Sequence, residues 1–375
     1  MGLEKLRSIS LIGSADVIGT VISSIFWFFL ASQIPPDEFG ELFYFIGIVG
    51  TVTAFVAFGS QNSISVLTSK KFKIESTLYF VSLLLTIIAS FVLMILFYRV
   101  DLIFLLFGFV INYLAIGEIL GRKNFLLYSK HVLLQKVLTL GLGLLFFYVF
   151  GIEGIILALS ITYVFFIIII YKRFQKTKID FSLLRNHSKF IFDNYLIEIF
   201  NKLNAHLNKF IIVPLLGFGV LGNFSLAIQA VSLGLIFTVI VFKYILPNDA
   251  QGEKNKKLKI ITIFIAVGFA FLGFFLSPIV IPLFFQEYVE AVDTIRIISF
   301  SIIPLTVTRI YESEFLGKEK SKRPLYSKIV SFITFTLAIV VLSPYFGIMG
   351  IAVGYLLSTI IETICLIPKI RVLQK

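Results

Sequence analysis

The chain has 375 residues, of which 58% are hydrophobic and only 14% are charged. A soluble domain is about 45–50% apolar and about 25% charged, so the composition excludes an ordinary soluble protein and predicts an integral membrane protein. The formal net charge is +12, but the basic residues lie in short loops between apolar runs, which argues against nucleic acid as a partner.

The first apolar segment follows two basic residues, Lys5 and Arg7, as the apolar part of a signal peptide would. Asp16 interrupts this segment, which continues to about Ala31 with no clear cleavage site after it. We therefore predict an uncleaved first transmembrane helix.

Twelve segments are long and apolar enough to cross a bilayer as helices, at about 20 residues for each crossing. They are residues 8–32, 41–66, 78–98, 102–120, 131–150, 154–171, 190–214, 220–245, 260–283, 292–311, 326–343 and 348–367. The sequence thus predicts an all-α polytopic membrane protein with about 12 transmembrane helices.

The charge of the loops predicts the orientation. With a cytoplasmic N-terminus, the inner segments are 1–7, 67–77, 121–130, 172–189, 246–259, 312–328 and 368–375, and together they contain 26 Lys and Arg residues. The outer loops contain only Arg99. Because positive residues favour the cytoplasmic side, we predict a multi-pass protein of the cell (plasma or inner) membrane with both termini cytoplasmic.

The chain repeats itself at an offset of 196 to 198 residues. GRKNFLLYSK at 121–130 resembles GKEKSKRPLYSK at 317–328, and FGIEGI at 150–155 resembles FGIMGI at 346–351. Each half has an even number of spans, so the repeat is parallel. We predict an N-terminal six-helix bundle over 1–171, a basic cytoplasmic linker over 172–189 and a C-terminal six-helix bundle over 190–375.

The seventh span, 190–214, is unusually polar for a transmembrane helix. It contains Asp193, Asn194, Glu198, Asn201, Lys202, Asn204, His206, Asn208 and Lys209. Charged groups at membrane depth usually face a protein interior or a watery cavity and mark a transport pathway. In repeat transporters that cavity lies between the halves, so we predict a central cleft between the first and seventh spans. A helix lying on the membrane surface and a soluble amphipathic helix are the alternatives.

Sites for metals, cofactors and covalent chemistry are not apparent. Cys365 is the only cysteine, the three histidines lie far apart, and there is no glycine-rich phosphate loop, HExxH or GxSxG motif. We predict no metal, no cofactor and no catalytic residue, and hence no enzyme.

Several motifs together resemble one transporter family. They are, in order, PPDEFGELFYF, FGSQNSISVL, FGIEGI, LLGFGVLGNFSLA, LFFQEYVEA and FGIMGI. The chain is similar over essentially its whole length to the polysaccharide flippases of the multidrug/oligosaccharidyl-lipid/polysaccharide exporter superfamily, and most of all to the O-antigen and capsule (Wzx-like) type. The resemblance implies two six-helix bundles around a central cavity. It also implies export of a lipid-linked oligosaccharide on a polyprenyl phosphate or pyrophosphate carrier, by alternating access.

The polar residues of the seventh span suit such a substrate. A sugar needs hydrogen-bonding groups and its phosphates need positive charge. The predicted cavity residues are Asn194, Asn201, Lys202, Asn204, His206, Asn208, Lys209 and, from the tenth span, Arg296. Glu198 lies four residues before Lys202, so an ion pair within the helix is the alternative reading of these two residues.

Acidic residues within the spans are candidates for coupling to H⁺ or Na⁺. Asp16 and Glu198 are the preferred candidates, whereas Glu118 and Glu362 lie near inner span ends, where satisfaction at the membrane interface is the simpler interpretation. The predicted partners are a lipid-linked oligosaccharide, membrane lipids and polysaccharide-assembly glycosyltransferases or polymerase.

Two other function classes fit less well. A cation-coupled drug or metabolite antiporter of the same fold would favour an acidic or aromatic cavity, whereas the seventh span is basic. A polytopic glycosyltransferase would need an acidic motif in a large outer loop, but the outer loops here are only a few residues long.

Overall fold

The computed structural model describes residues 2–58, 61–250, 255–317 and 322–367, and every regular element within these ranges is a helix. In chain order the helices are α1 (Gly2–Ala31), α2 (Pro36–Val56), α3 (Gln61–Ser69), α4 (Glu75–Phe97), α5 (Val100–Gly121), α6 (Phe125–Phe150), α7 (Glu153–Ile161), α8 (Ile167–Lys176), α9 (Phe181–Asn186), α10 (Ser188–Leu216), α11 (Phe218–Gly234), α12 (Ile236–Ala250), α13 (Lys256–Phe284), α14 (Ala291–Ser299), α15 (Ile302–Gly317) and α16 (Lys322–Leu366). A short 3₁₀ helix at Val164–Phe166 lies between α7 and α8.

The described helices match eleven of the twelve predicted spans in length and hydropathy. Nine helical segments within the described ranges are long and apolar enough to cross a membrane, and α11 with α12, bent by 48°, makes a tenth. One of the nine, α16, has 45 residues and is two helices joined at a break. At 1.5 Å per residue it is about twice as long as a bilayer core is thick, so it provides two crossings. The polar α10 is not among the segments that meet this criterion, and its crossing of the membrane stays a prediction.

Three predicted spans are broken rather than continuous. The sixth is α7, the 3₁₀ turn and α8, the eighth is α11 and α12, and the tenth is α14 and α15. The second prediction, 41–66, was wrong in extent, because α2 ends at Val56 and the chain leaves the helix at residues 57 and 58. The polar and glycine-containing run FGSQNS follows directly, and such residues favour turns. The rest of that segment belongs to α3.

Local chemistry explains where several helices begin. Pro36 occupies the first position of α2, where its missing N–H is not needed, and Asp37 and Glu38 complement the helix dipole. The Asn124 side chain accepts a hydrogen bond of 3.1 Å from the Leu127 N–H and so caps α6.

The internal repeat is visible in the backbone. Gly151 and Gly347, 196 residues apart, both have positive φ, +66° and +53°, which glycine adopts without steric penalty. Three residues later, a methyl group on Gly154 would lie 2.7 Å from the Phe146 carbonyl oxygen, and one on Gly350 would lie 2.6 Å from that of Leu342. The repeated FG-I-x-G-I motif therefore makes the same tight helix-to-helix return in both halves.

The packing of the Cα atoms divides the chain into two compact units. Unit 1 comprises residues 1–26 and 42–210, and unit 2 comprises residues 27–41 and 211–375. The helices α1, α2 and α10 each contribute residues to both units. The predicted functional division into 1–171, 172–189 and 190–375 stays a prediction.

Candidate functional site in unit 1

Two side chains of the polar helix α10 pack directly against two glycines of α2. A methyl group placed on Gly47 would lie 2.6 Å from Cδ of Lys209, and one on Gly50 would lie 2.7 Å from Nε2 of His206. Such distances are well below van der Waals contact, so the two side chains rest directly on glycine backbone. The stretch around Gly47 and Gly50, one helical turn apart, thus forms a seat for His206 and Lys209, which we call the glycine seat.

Both lysines of the α10 face lie over aromatic rings. Lys209 Nζ is 5.1 Å from the ring centre of Phe43, and Lys202 Nζ is 5.8 Å from that of Tyr113 in α5. An ammonium group over a ring face is attracted by about 0.5–1 kcal/mol at an exposed site, and more when it is desolvated. Among the described side chains, neither lysine has a carboxylate within 4 Å. Their charge is therefore only weakly compensated.

Two buried polar atoms of α10 have no hydrogen-bond partner among the described residues. They are Nδ1 of His206 and Oδ1 of Asn208. An unsatisfied buried polar atom costs roughly 1–3 kcal/mol, and most buried polar groups in proteins do have a partner. The α10 face therefore combines basic groups with unused hydrogen-bonding capacity.

The other predicted residues of α10 are placed differently. Asn194 donates a hydrogen bond of 2.8 Å to the carbonyl of Phe190, one turn earlier in the same helix. The side chains of Asn201 and Asn204 lie outside the described residues. Glu198 lies near the Tyr113 hydroxyl, and the alternative ion pair between Glu198 and Lys202 is not among the interactions of the described residues.

Arg296, predicted from the tenth span, belongs to α14 in unit 2. Its guanidinium lies 4.5 Å from the ring centre of Phe274, and its Nη1 is 3.2 Å from an oxygen of Asp293. Its Nε is buried without a hydrogen-bond partner among the described residues. Its assignment to the predicted cavity stays a prediction.

Asp16, the preferred ion-coupling candidate in α1, is held by a neighbouring helix. The hydroxyl of Tyr128 in α6 donates a hydrogen bond of 2.8 Å to its carboxylate. The structure thus connects this carboxylate to α6 within unit 1. Its role in ion coupling, like that of Glu198, stays a prediction, as does the cleft between the first and seventh spans.

A closed ion cluster holds Glu118, which lies near the C-terminal end of α5. Its carboxylate accepts hydrogen bonds from Nε of Arg122 at 2.8 Å, from Nε of Arg173 at 2.9 Å and from the Tyr79 hydroxyl at 2.7 Å. Arg122 also pairs with the buried Glu75 at 2.9 Å. Glu118 is thus satisfied by neighbouring side chains of unit 1.

Unit 2 contains a similar cluster around α15 and α16. Lys328 Nζ lies 2.7 Å from Glu312 and 3.4 Å from Glu362, and Arg309 pairs with Glu312 at 3.0 Å. Both carboxylates are almost fully buried. Glu362 is likewise satisfied by a neighbouring side chain, that of Lys328.

Four residues that support the basic face were not predicted from the sequence. These are Phe43, Gly47 and Gly50 of α2 and Tyr113 of α5. Two glycines three residues apart in an apolar helix were a usable signal, because small residues let membrane helices approach closely. No comparable pattern marks Tyr113 or Phe43.

Solved structures with the same fold are known, although no protein-family model and no curated protein matches the sequence. The chain is similar to the lipid II flippase MurJ in an inward closed conformation, with a TM-score of 0.78 and 13% identity over 95% of this chain and 86% of that one. It is also similar to an inward-facing multidrug resistance MATE transporter of the MOP superfamily, with a TM-score of 0.68 and 17% identity over 95% and 92% of the two chains.

A third similar structure is a MOP superfamily transporter from Pyrococcus furiosus Vc1, described as having a binding pocket of reverse polarity. Its TM-score is 0.67 and its identity 15%, over 96% of this chain and 93% of that one. At such identities the similarity concerns the fold. The all-α, two-bundle transporter fold predicted from the family resemblance is thereby confirmed.

Proposed function

We propose that this chain, which has the fold of MurJ and of MATE transporters, is a flippase for a lipid-linked oligosaccharide on a polyprenyl-phosphate type of carrier. It moves the headgroup from the inner to the outer leaflet by alternating access, for the synthesis of a cell-surface polysaccharide. It acts as a transporter of the cell membrane and not as an enzyme.

The basic face of α10 carries this proposal. Lys202 and Lys209 are seven residues apart, about 10 Å along the helix, and their ammonium groups rest on aromatic rings instead of carboxylates. A phosphate or pyrophosphate group can replace a ring contact with a charge-assisted hydrogen bond, which is much stronger. No ion pair between described residues has to break when such a headgroup binds.

Neighbouring polar atoms of α10 suit the sugar part of the substrate. His206 Nδ1 and Asn208 Oδ1 can bond sugar hydroxyls, which both donate and accept hydrogen bonds. Asn194, Asn201, Asn204 and Arg296 complete the proposed substrate contacts. The lipid tail stays in the bilayer, so the protein needs a polar path only for the headgroup.

Coupling to a gradient of H⁺ or Na⁺ through Asp16 or Glu198 is part of the same proposal. The partners that we propose are membrane lipids and the glycosyltransferases or polymerase that make and consume the lipid-linked oligosaccharide.

A second candidate function is cation-coupled export of small cationic molecules. The similarity to multidrug resistance MATE transporters favours it, as do the carboxylates of Asp16 and Glu198 within the spans. The basic face of α10 opposes it, because Lys202 and Lys209 would repel a cationic substrate.

The deciding experiment measures transbilayer movement of a fluorescently labelled polyprenyl-pyrophosphate oligosaccharide in vesicles that contain the purified protein. We expect the variant Lys202→Ala with Lys209→Ala to reduce the rate at least tenfold, because a hydrogen bond to a charged group contributes roughly 1.5–3 kcal/mol. The control variant Lys256→Ala with Lys257→Ala removes two exposed lysines at the start of α13 and should retain the rate.

Two results would contradict the proposal. An unchanged rate in the Lys202/Lys209 variant removes the proposed phosphate site. No movement of the lipid-linked substrate, together with efflux of a cationic dye driven by a proton gradient, establishes the antiporter instead.

A further inference from the structure

The segment between α8 and α10 is attached to the beginning of α4 in unit 1. The Ser76 and Thr177 hydroxyls are hydrogen-bonded to each other, and the Asp180 N–H donates a bond of 2.8 Å to the Thr77 hydroxyl. Ring contacts add to these bonds. Phe72 lies 4.5 Å from the His187 ring and Phe80 lies 6.3 Å from the Phe181 ring, centre to centre. The segment thus has a fixed position on unit 1.

Most basic side chains of this segment have no carboxylate partner among the described residues. Residues 172–189 contain six Lys or Arg residues and one acidic residue, Asp180. Arg173 is bound to Glu118, and Asp180 caps α9 by accepting a hydrogen bond of 2.8 Å from the Ser182 N–H. Four exposed cations have no carboxylate within 4 Å among the described side chains: Lys172, Lys176, Lys178 and Arg185.

Exposed apolar side chains lie between and beside these cations. Ile179 is 42% exposed and Phe181 is 53% exposed, while Tyr171 before them and Phe192 after them are 62% and 52% exposed. A segment that faces only water would not present aromatic and aliphatic groups in this density. Alternating basic and apolar side chains are typical of segments that lie in the interface of a membrane.

We propose that residues 171–192, the interfacial strap, bind the headgroups of anionic phospholipids on the cytoplasmic leaflet. These four cations, which have no carboxylate partner among the described side chains, complement a negatively charged membrane surface, while Ile179 and Phe181 enter the boundary between headgroups and acyl chains. Each basic residue near such a surface favours anionic lipid by about fivefold. The hydrogen bonds to Ser76 and Thr77 hold the strap in place, so the lipids would gather beside α4.

The orientation rule alone predicts something different. Basic loops can serve only to fix the topology during insertion, and a finished protein would then have no preference among headgroups at this segment. The two explanations therefore differ in whether the assembled protein prefers anionic headgroups at this segment. That preference can be measured without any transported substrate.

The test uses the full chain with Cys365→Ser and a single label at Gln175→Cys, an exposed position between the basic residues. The protein is reconstituted in vesicles of phosphatidylcholine that contain either brominated phosphatidylglycerol or brominated phosphatidylcholine at the same mole fraction. We expect several-fold stronger quenching of the label by the brominated anionic lipid. The difference should shrink at high ionic strength, because salt screens exposed charges.

The decisive variant carries Lys172→Gln, Lys176→Gln, Lys178→Gln and Arg185→Gln, and the headgroup preference should disappear in it. A matched control, with Lys70→Gln, Lys123→Gln, Lys256→Gln and Lys257→Gln, removes as many exposed charges elsewhere and should keep the preference. Equal quenching by the two lipids in the unsubstituted strap, or a preference that survives in the neutralised strap, would overturn the proposal. A chain that failed to move lipid-linked sugars could still show the preference.

Discussion

Unit 1 contains two groups of charged side chains that are satisfied in opposite ways. In the ion cluster around Glu118, every carboxylate bonds to an arginine, and Tyr79 adds a further hydrogen bond. On the α10 face, Lys202 and Lys209 rest on aromatic rings, and His206 and Asn208 keep buried atoms without described partners. The first arrangement is complete in itself and holds helices together. The second has capacity for a ligand, which is why we place the substrate there.

The largest expected effect is a loss of stability when the ion cluster around Glu118 is broken. Glu118→Ala leaves Arg122 and Arg173 without their shared carboxylate, and breaking a buried ion pair costs about 3 kcal/mol or more. We expect the variant to be clearly less stable in thermal unfolding of the detergent-solubilised protein. Lys209→Ala should leave the unfolding midpoint nearly unchanged, since it breaks no ion pair between described residues.

A control for this variant is Glu153→Gln, which neutralises an exposed carboxylate in the first turn of α7. Its unfolding midpoint should stay close to that of the original chain. If Glu118→Ala were as stable as Glu153→Gln, the Glu118 cluster would not be the structural element that we infer.

An intermediate effect is expected at the glycine seat. Gly50→Ala places a methyl group 2.7 Å from His206 Nε2, and such overpacking typically costs 1–3 kcal/mol. Transport should fall because His206 must leave its position. Adding His206→Ala should remove the clash. In a double-mutant cycle, the double variant should therefore have the same transport rate as the His206→Ala variant.

Gly141→Ala is the matched control, because a methyl group at Gly141 meets nothing within 4 Å. This substitution should leave the transport rate unchanged. It should slightly stabilise the protein, because alanine has a higher helix propensity than glycine. A Gly50→Ala chain with normal transport would show that the seat does not position His206.

The smallest expected effect concerns the ring below Lys209. Phe43→Leu keeps an apolar side chain but removes the ring face, whose attraction for an ammonium is about 0.5–1 kcal/mol. We expect a change of two- to fivefold in the apparent KM for the lipid-linked substrate with little change in stability. Phe43→Tyr retains the ring and should behave like the original chain. Identical KM values for the Leu and Tyr variants would show that the ring does not place Lys209.

Much of the fold could be predicted from the sequence because hydropathy and loop charge report on length and polarity, which are local properties. Gly347 illustrates this: the FGIMGI repeat predicted a boundary between two spans, and the backbone turns there. The bend at Leu235 was not predicted, because no proline marks it and the run that contains Ser232 and Gly234 is long and apolar enough for one continuous span. A bend of that kind depends on the surrounding helices rather than on composition.

The candidate site was predictable in part for a similar reason. The pattern of α10 showed which residues are polar, but a polar face does not tell which helix covers it. The basic face was assigned to a cleft with the first span, whereas Lys209 and His206 contact Phe43, Gly47 and Gly50 of the second. Packing partners distant in sequence follow from the three-dimensional arrangement, and only the glycine spacing in α2 hinted at this one.

Unit 2 is formed from two segments that are far apart in the chain, and this affects the order in which it can assemble during synthesis. The Tyr288 hydroxyl donates a hydrogen bond of 3.0 Å to the carbonyl of Ile34, 254 residues earlier in the chain. A methyl group on Gly222 would collide with the backbone of Pro36, so residues 27–41 fit closely against segments that follow much later. These early residues leave the ribosome long before their partners exist. During synthesis their contacts with α11 and with the segment before α14 can form only after those later segments have entered the membrane.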